Sequence, residues 1–146
     1  MKIVLQRVSE SRVLVDDVQI GAINQGLMLL VGVHEDDTAE QMQWLADKIL
    51  KLRVFDDEDG KMNLSVQDVE GEILVVPQFT LYGDYESGNR PSYFKAAGPE
   101  KAEKLYEDMI GYLKEHSNLN VETGQFGAYM DVQLRNDGPV TLVLER

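Results

Sequence analysis

Residues 26–52 read GLMLLVGVHEDDTAEQMQWLADKILKL, and the change of hydrophobic period inside this stretch decides the class of fold. Leu27–Val33 is a continuous apolar run entered through Gly26, the pattern of a strand buried on both faces. Thr38 followed by Gln41 then makes a capping box, in which side chains satisfy the free N–H groups at a helix start. Behind it Met42, Leu45, Ala46, Ile49 and Leu52 recur at helical spacing, so an amphipathic helix runs to about Leu52.

Outward from this stretch the chain is mostly strand. Toward the N-terminus, residues 2–8 and 11–16 alternate, Asp16-Asp17 marks a turn, and 18–24 is a short strand punctuated by Gly21 and Gly26. Toward the C-terminus, Val54-Phe55 is extended and Asp56-Asp57-Glu58-Asp59-Gly60 has the composition of a calcium loop. The register fails: with Gly60 sixth, Phe55 stands first and Val66 twelfth, where acids are required, so a hairpin turn is expected. Glu72–Phe79 predicts a central strand, and Thr80–Gly98 is irregular at a length usually reserved for functional or mobile loops. Pro99 opens a second helix, with Ala102, Leu105, Met109, Tyr112 and Leu113 as its stripe and an end near His116. Strands follow at 120–124, at 128–135 with Ala128, Met130, Val132 and Leu134 on one face, and at 140–144. This order predicts one α+β domain over residues 1–146, a mixed and mostly antiparallel sheet covered by two main helices, and not a βαβ repeat.

Composition narrows the chemistry. With no cysteine among 146 residues, disulfides, thiolate metal sites and a Cys nucleophile are excluded. The opening MKIVLQRVSESRVLV lacks the apolar run of a signal peptide or the ~20 residues that span a bilayer, so a cytoplasmic protein is expected. The formal charge of −12 is the wrong sign for bulk attraction to nucleic acid. Local basic groups remain, Lys48, Lys51 and Arg53 on one segment and Arg90 with Lys95 on another, to face phosphates or simply to solvate their segments. His34 and His116 sit in polar contexts and are expected at the surface, not as bases. No HExxH, paired His/Cys spacing, GxxxxGK[ST] or GxGxxG is present, so neither a metal nor a nucleotide cofactor is expected.

Two segments stand apart from ordinary strand and turn sequence. Val76-Pro77-Gln78-Phe79-Thr80-Leu81 puts Gln and Thr at the end of an apolar strand, where they either line a pocket or merely end the strand. Asn136-Asp137-Gly138-Pro139-Val140-Thr141 contains Asp-Gly, the ordinary signal of a tight hairpin, yet Pro139 is left unexplained by that turn. Gly-Pro offers bare carbonyl groups for close approach to a ligand, so both readings stand.

Taken together with Gln6-Arg7-Val8, Gly60–Ser65, Arg90-Pro91-Ser92 and Glu122–Ala128, these segments resemble the D-aminoacyl-tRNA deacylase family from end to end. Pro77–Leu81 matches the family's SQFTL-type motif and Asn136–Thr141 its NxGPVT-type motif. The resemblance implies a barrel-like core and an enzyme without cofactor that hydrolyses the ester of D-aminoacyl-tRNA, and of glycyl-tRNA. It implies a homodimer in which a cis Gly138-Pro139 peptide reaches into the other subunit's site and rejects L-amino acids by main chain, with Arg7 holding the loop. Gln78, Phe79 and Thr80 then form the catalytic pocket, and Phe126 and Met130 line the space for the terminal adenosine. Thr80 has no adjacent base to activate it, so it is assigned a positioning role. The catalytic group is then the tRNA's own 2′-hydroxyl, with backbone N–H groups near Phe79 and Thr80 as oxyanion donors.

One departure is plain: Pro77 stands where the family usually has Ser, removing a hydroxyl and a donor. Three other readings compete. A non-catalytic nucleic-acid-binding module of the same fold is disfavoured by the charge and by a chain ending at Val143-Leu144-Glu145-Arg146 without the tail such relatives carry. A relative that edits mischarged L-aminoacyl-tRNA is disfavoured by the Arg7 and Gly138-Pro139 combination, and a hydrolase of small esters ranks last.

Overall fold

The computed structural model describes residues Met1–Arg146. Its organising element is β1 (Lys2–Val15), one continuous strand where sequence alternation breaks at Ser9 and Glu10. Along one edge β1 pairs antiparallel with β3 (Gly26–Gly32) through Lys2–Val8 and with β2 (Val18–Ile23) through Ser11–Val15. The turn between β1 and β2 is the expected Asp16-Asp17, both with positive φ (49° and 63°), as a two-residue hairpin of right-handed twist requires. Along its other edge β1 pairs with β8 (Asp131–Glu145) over nearly its whole length.

The sheet continues through β6 (Glu72–Pro77), parallel to β3, and β7 (Val121–Thr123), parallel to β6. β7 then comes back against β2: a Cβ on Gly21 would stand 2.6 Å from the Thr123 carbonyl oxygen, so only glycine lets the sheet curl this close to closure. The result is a nearly closed, barrel-like mixed sheet. Helix α1 (Ala39–Lys51) connects β3 toward β6 and α2 (Pro99–Glu115) connects β6 to β7. Both helices therefore serve parallel crossovers, within a sheet that is otherwise antiparallel. The Asp56–Gly60 segment is the expected turn: β4 (Phe55–Asp56) and β5 (Met62–Leu64) pair antiparallel, and the Asp57 carboxylate accepts from the amides of Asp59 and Lys61.

The two faces of β3 and β6 explain their unbroken apolar runs. Leu27, Leu29, Val31, Ile73 and Val75 face the helices, with Leu45, Ile49, Met109 and Leu113 in one core of 23 buried residues. Met28, Leu74 and Val76 face the barrel interior with Val8, Val13 and Ile23. Each such side chain contributes about 1.5–3 kcal/mol on full burial. Thr38 caps α1 with the reciprocal Gln41 bonds of a capping box, and Pro99 opens α2.

One expected turn is absent. The halves of β8 before and after Gly138-Pro139 run the same way along β1, so Asp-Gly makes no hairpin. Gln6 pairs with Thr141 and Val8 with Asn136, so Arg7 alone faces the four residues Asp137–Val140, which are extruded as a wide bulge. β8 also begins at Asp131 and not at 128.

The chain ends are tied into this frame. The buried Met1 ammonium pairs with buried Asp37, whose other oxygen accepts from the His34 amide at 2.6 Å. Asp37→Ala strands a buried charge and an amide together, and the expected loss is about 3–5 kcal/mol, read as a lower denaturant midpoint at unchanged slope.

Candidate active site

A cavity of about 820 Å³ opens beyond the carboxyl ends of parallel strands β3 and β6, between the start of α2 and residues 126–132. That is where connections diverge from a parallel sheet and leave room for a ligand. Gln78, Phe79, Thr80, Phe126 and Met130 all line it, so five of the eight expected site residues come together. No charged side chain lines it.

The Gln78-Phe79-Thr80 segment owes its shape to the end of β6. Alternate residues of the strand face opposite neighbours: the Ile73 amide donates to Asn120 on the β7 side and the Gln78 amide to Val31 on the β3 side. By that alternation Pro77 faces β7, beyond its last pair at Val75, so the missing N–H costs no ladder bond. The chain then tightens into a 3-10 turn, Phe79–Tyr82, with no side-chain cap. The amides of Phe79 and Thr80 consequently donate to nothing within the chain. Gln78 Nε2 donates to Thr80 Oγ1, which fixes the two side chains against each other. Beside the end of β6, Gly124 leaves space for Met130: a Cβ there would stand 2.8 Å from its sulfur and 3.3 Å from Pro77.

Tyr106, Tyr93 and Tyr129 also line the cavity and were not singled out in the sequence. Tyr106 lies four residues after Ala102 and three before Met109, so its place in the helical stripe was the available signal. Its hydroxyl donates to the Val75 carbonyl at 2.8 Å, and burial pushes the phenol well above its ordinary range. It is a fixed hydrogen-bond donor and not a base.

Arg7, Gly138 and Pro139 do not line this cavity. Arg7 is buried, its NH1 donating to the Val54 carbonyl at 2.7 Å and lying 3.4 Å from Asp56. Its Nε stands 3.0 Å from an Asp137 carboxylate oxygen but off the N–H direction, so this contact is an ion pair without an in-line hydrogen bond. Asn136 donates to the carbonyls of Arg7 and Val140, closing the neck of the bulge. Within it the Gly138-Pro139 peptide is cis and Gly138 has φ +113°; a Cβ would stand 2.9 Å from Val140 and 3.2 Å from Arg7. The bulge is thus rigid at its base and exposed at its tip.

The remaining candidates lie elsewhere. His34 packs near Tyr82 and His116 stacks on Tyr112, neither in the cavity. Lys48, Lys51 and Arg53 surround a separate depression beside Trp44, and Lys95 lies 3.4 Å from Asp84.

Comparison with known proteins gives this geometry its class. The sequence model of the D-Tyr-tRNA(Tyr) deacylase family matches residues 4–145. A D-aminoacyl-tRNA deacylase of Exiguobacterium sibiricum is 58% identical over the full length of both chains, and one of Thermotoga petrophila is 57% identical over 99% of this chain and 97% of its own. A solved structure titled c-Myc DNA Unwinding Element Binding Protein superposes with TM-score 0.95 at 42% identity, covering 100% of this chain and 99% of that one. Another, a probable eukaryotic D-amino acid tRNA deacylase, shares the fold at TM-score 0.87 and 17% identity, covering 98% and 97%. Fold and relatives together define a hydrolase acting on ester bonds. The chain belongs to the D-Tyr-tRNA(Tyr) deacylase family.

The raised Tyr106 phenol makes a stability prediction. Because its folded value lies above the ordinary 10.0, its contribution is complete below pH 10 and is lost as pH rises beyond it. Tyr106→Phe is expected to cost about 0.5–1.5 kcal/mol at neutral pH and to weaken the alkaline fall, checked by urea unfolding at pH 8 and above pH 10.

Proposed function

We propose that this chain hydrolyses the ester joining a D-amino acid to the 3′-terminal adenosine of tRNA, releasing free tRNA and the amino acid. The observation that carries the proposal is two unpaired backbone amides, Phe79 and Thr80, at the wall of a cavity without charged side chains. An ester carbonyl placed there develops its negative charge against preorganised donors beside an uncharged, mostly apolar wall, and one such donor is worth about 2.7–4 kcal/mol. No ionised group of the cavity serves as base, so the ribose 2′-hydroxyl beside the ester activates the water. Gln78 and Thr80 position it, and effective molarities of roughly 10⁵–10⁸ M show how far orientation alone carries an activated ester. Phe126 and Met130 hold the terminal adenine.

Chirality is selected by main chain, across a two-fold axis. The Gly138 and Pro139 carbonyls of one protomer enter the partner's cavity and meet the α-amino group, so an L side chain collides with backbone while a D side chain points outward. Glycine, with nothing to reject, is accepted. Three features support this placement. The Gly138-Pro139 tip is exposed and absent from its own chain's cavity. Arg7 and Asn136 fix its base. β8 pairs only with β1 and leaves its other edge open on both sides of the bulge, with Val143 64% exposed, and such edges invite a second copy. The reaction belongs to the cytoplasm, where charged tRNA resides, and residues 1–146 act as one domain.

The name of the 42% identical solved structure favours one second reading, a non-catalytic nucleic-acid-binding module. Deacylation of matched D- and L-aminoacyl-tRNA separates the readings. Loss of the D-ester alone, abolished by Gly138→Ala/Pro139→Ala, is expected; loss of neither ester puts the binding module first, and loss of the L-ester an L-editing relative.

Thr80→Ala is expected to lower kcat by about tenfold, in keeping with the loss of one positioning contact worth ~1.4 kcal/mol. Abolished turnover with intact binding would instead make Thr80 the nucleophile.

A further inference from the structure

Six large aromatic side chains are exposed, and three of them, Phe79, Tyr93 and Tyr129, line the one cavity described above. Two more, Tyr85 at 76% and Phe94 at 90% exposure, belong to the irregular 83–98 segment that supplies part of its wall. Tyr93 is braced edge-on against Phe79 with ring centroids 5.0 Å apart, while Tyr129, which also lines the cavity, is 95% exposed and has no aromatic partner. Rings left so open at the mouth of a ligand cavity bury apolar area only when something planar covers them.

Resting on the deacylase reading, we propose that Tyr93 and Tyr129 form a stacking platform for the unpaired nucleotides immediately 5′ of the terminal adenosine. The occupant is single-stranded RNA and not duplex, because only unstacked bases offer their faces to aromatic rings. Charge points the same way. The chain is −12 overall, no charged side chain lines the cavity, and the basic groups of the 83–98 segment are Arg90 and Lys95, the latter 3.4 Å from Asp84; stacking needs neither, being indifferent to charge. Such a platform lengthens the recognised element from a nucleoside to several nucleotides, without the basic groove that would also retain unrelated RNA.

The test compares two non-hydrolysable amide analogues, D-aminoacyl-adenosine and a D-aminoacyl tetranucleotide ending CCA, by calorimetry on the intact protein. The tetranucleotide is expected to bind at least tenfold tighter, and Tyr129→Ala and Tyr93→Ala each to cut that advantage about tenfold. The advantage should also vary little between 50 and 200 mM salt, since no phosphate is neutralised. Equal affinity for the two analogues overturns the platform while leaving the deacylase reading intact. Equal loss on both analogues in the variants assigns the rings to the terminal nucleoside and likewise overturns it. A salt-steep advantage transfers it to phosphate contacts. Failure of the parent protein to bind either analogue counts against the deacylase reading itself. Sedimentation of both variants completes the test: a changed mass would make the rings a subunit contact and overturn the platform.

Discussion

The rest of the structure depends on the pairing of β1 with β8. β1 is satisfied along both edges, by β3 and β2 on one side and β8 on the other, so it cannot slip without moving every other strand. β8 carries three residues more than the ladder can hold at this point, and they leave the sheet opposite Arg7. The guanidinium is buried there, and burying it alone would be costly, so the Val54 carbonyl, Asp56 and Asp137 converge on it. A mismatch in strand length thus produces the Gly138-Pro139 bulge, and a buried charge gives it one position.

The cavity follows from the other half of the sheet. β3, β6 and β7 are parallel, their connections must cross over the helical face, and the space beyond their carboxyl ends is left for a ligand. Its walls inherit the apolar character of those strand ends. Tyr106, the most buried phenol among them, is held protonated by that burial. A site of this kind moves no proton through an ionised side chain. It supplies fixed donors and an apolar wall, so what it contributes to a bound ligand is orientation and backbone hydrogen bonds.

Much of this was legible in the sequence because local signals and tertiary demands agree. The capping box at Thr38 and the Asp16-Asp17 turn appear where expected, and the strands expected at 27–33 and 72–79 appear as Gly26–Gly32 and Glu72–Pro77, the second cut short where Phe79 enters a 3-10 turn. Asp137-Gly138 failed as a hairpin signal because it reports only local flexibility, whereas a wide bulge is set by the register of two strands more than 120 residues apart. The pairing of β6 with β3 and β7, which makes Pro77 harmless to the ladder, is equally non-local. Five of the eight expected site residues converge on one cavity, while the other three, Arg7, Gly138 and Pro139, form a unit of their own at the β8 bulge, because strand register and not proximity in sequence decides which segments meet.

The acidic balance of the chain, −12 overall, contrasts with a cavity that no charged side chain lines. At physiological salt, charges interact over about 8 Å, and none of the 26 acids lines the cavity. Their sum opposes any polyanion spread broadly across the surface. A basic enzyme would be retained by every RNA in the cell in proportion to its phosphates. A chain of formal charge −12 lacks that bulk attraction, so a ligand of its uncharged cavity is held by shape, apolar contact and backbone donors.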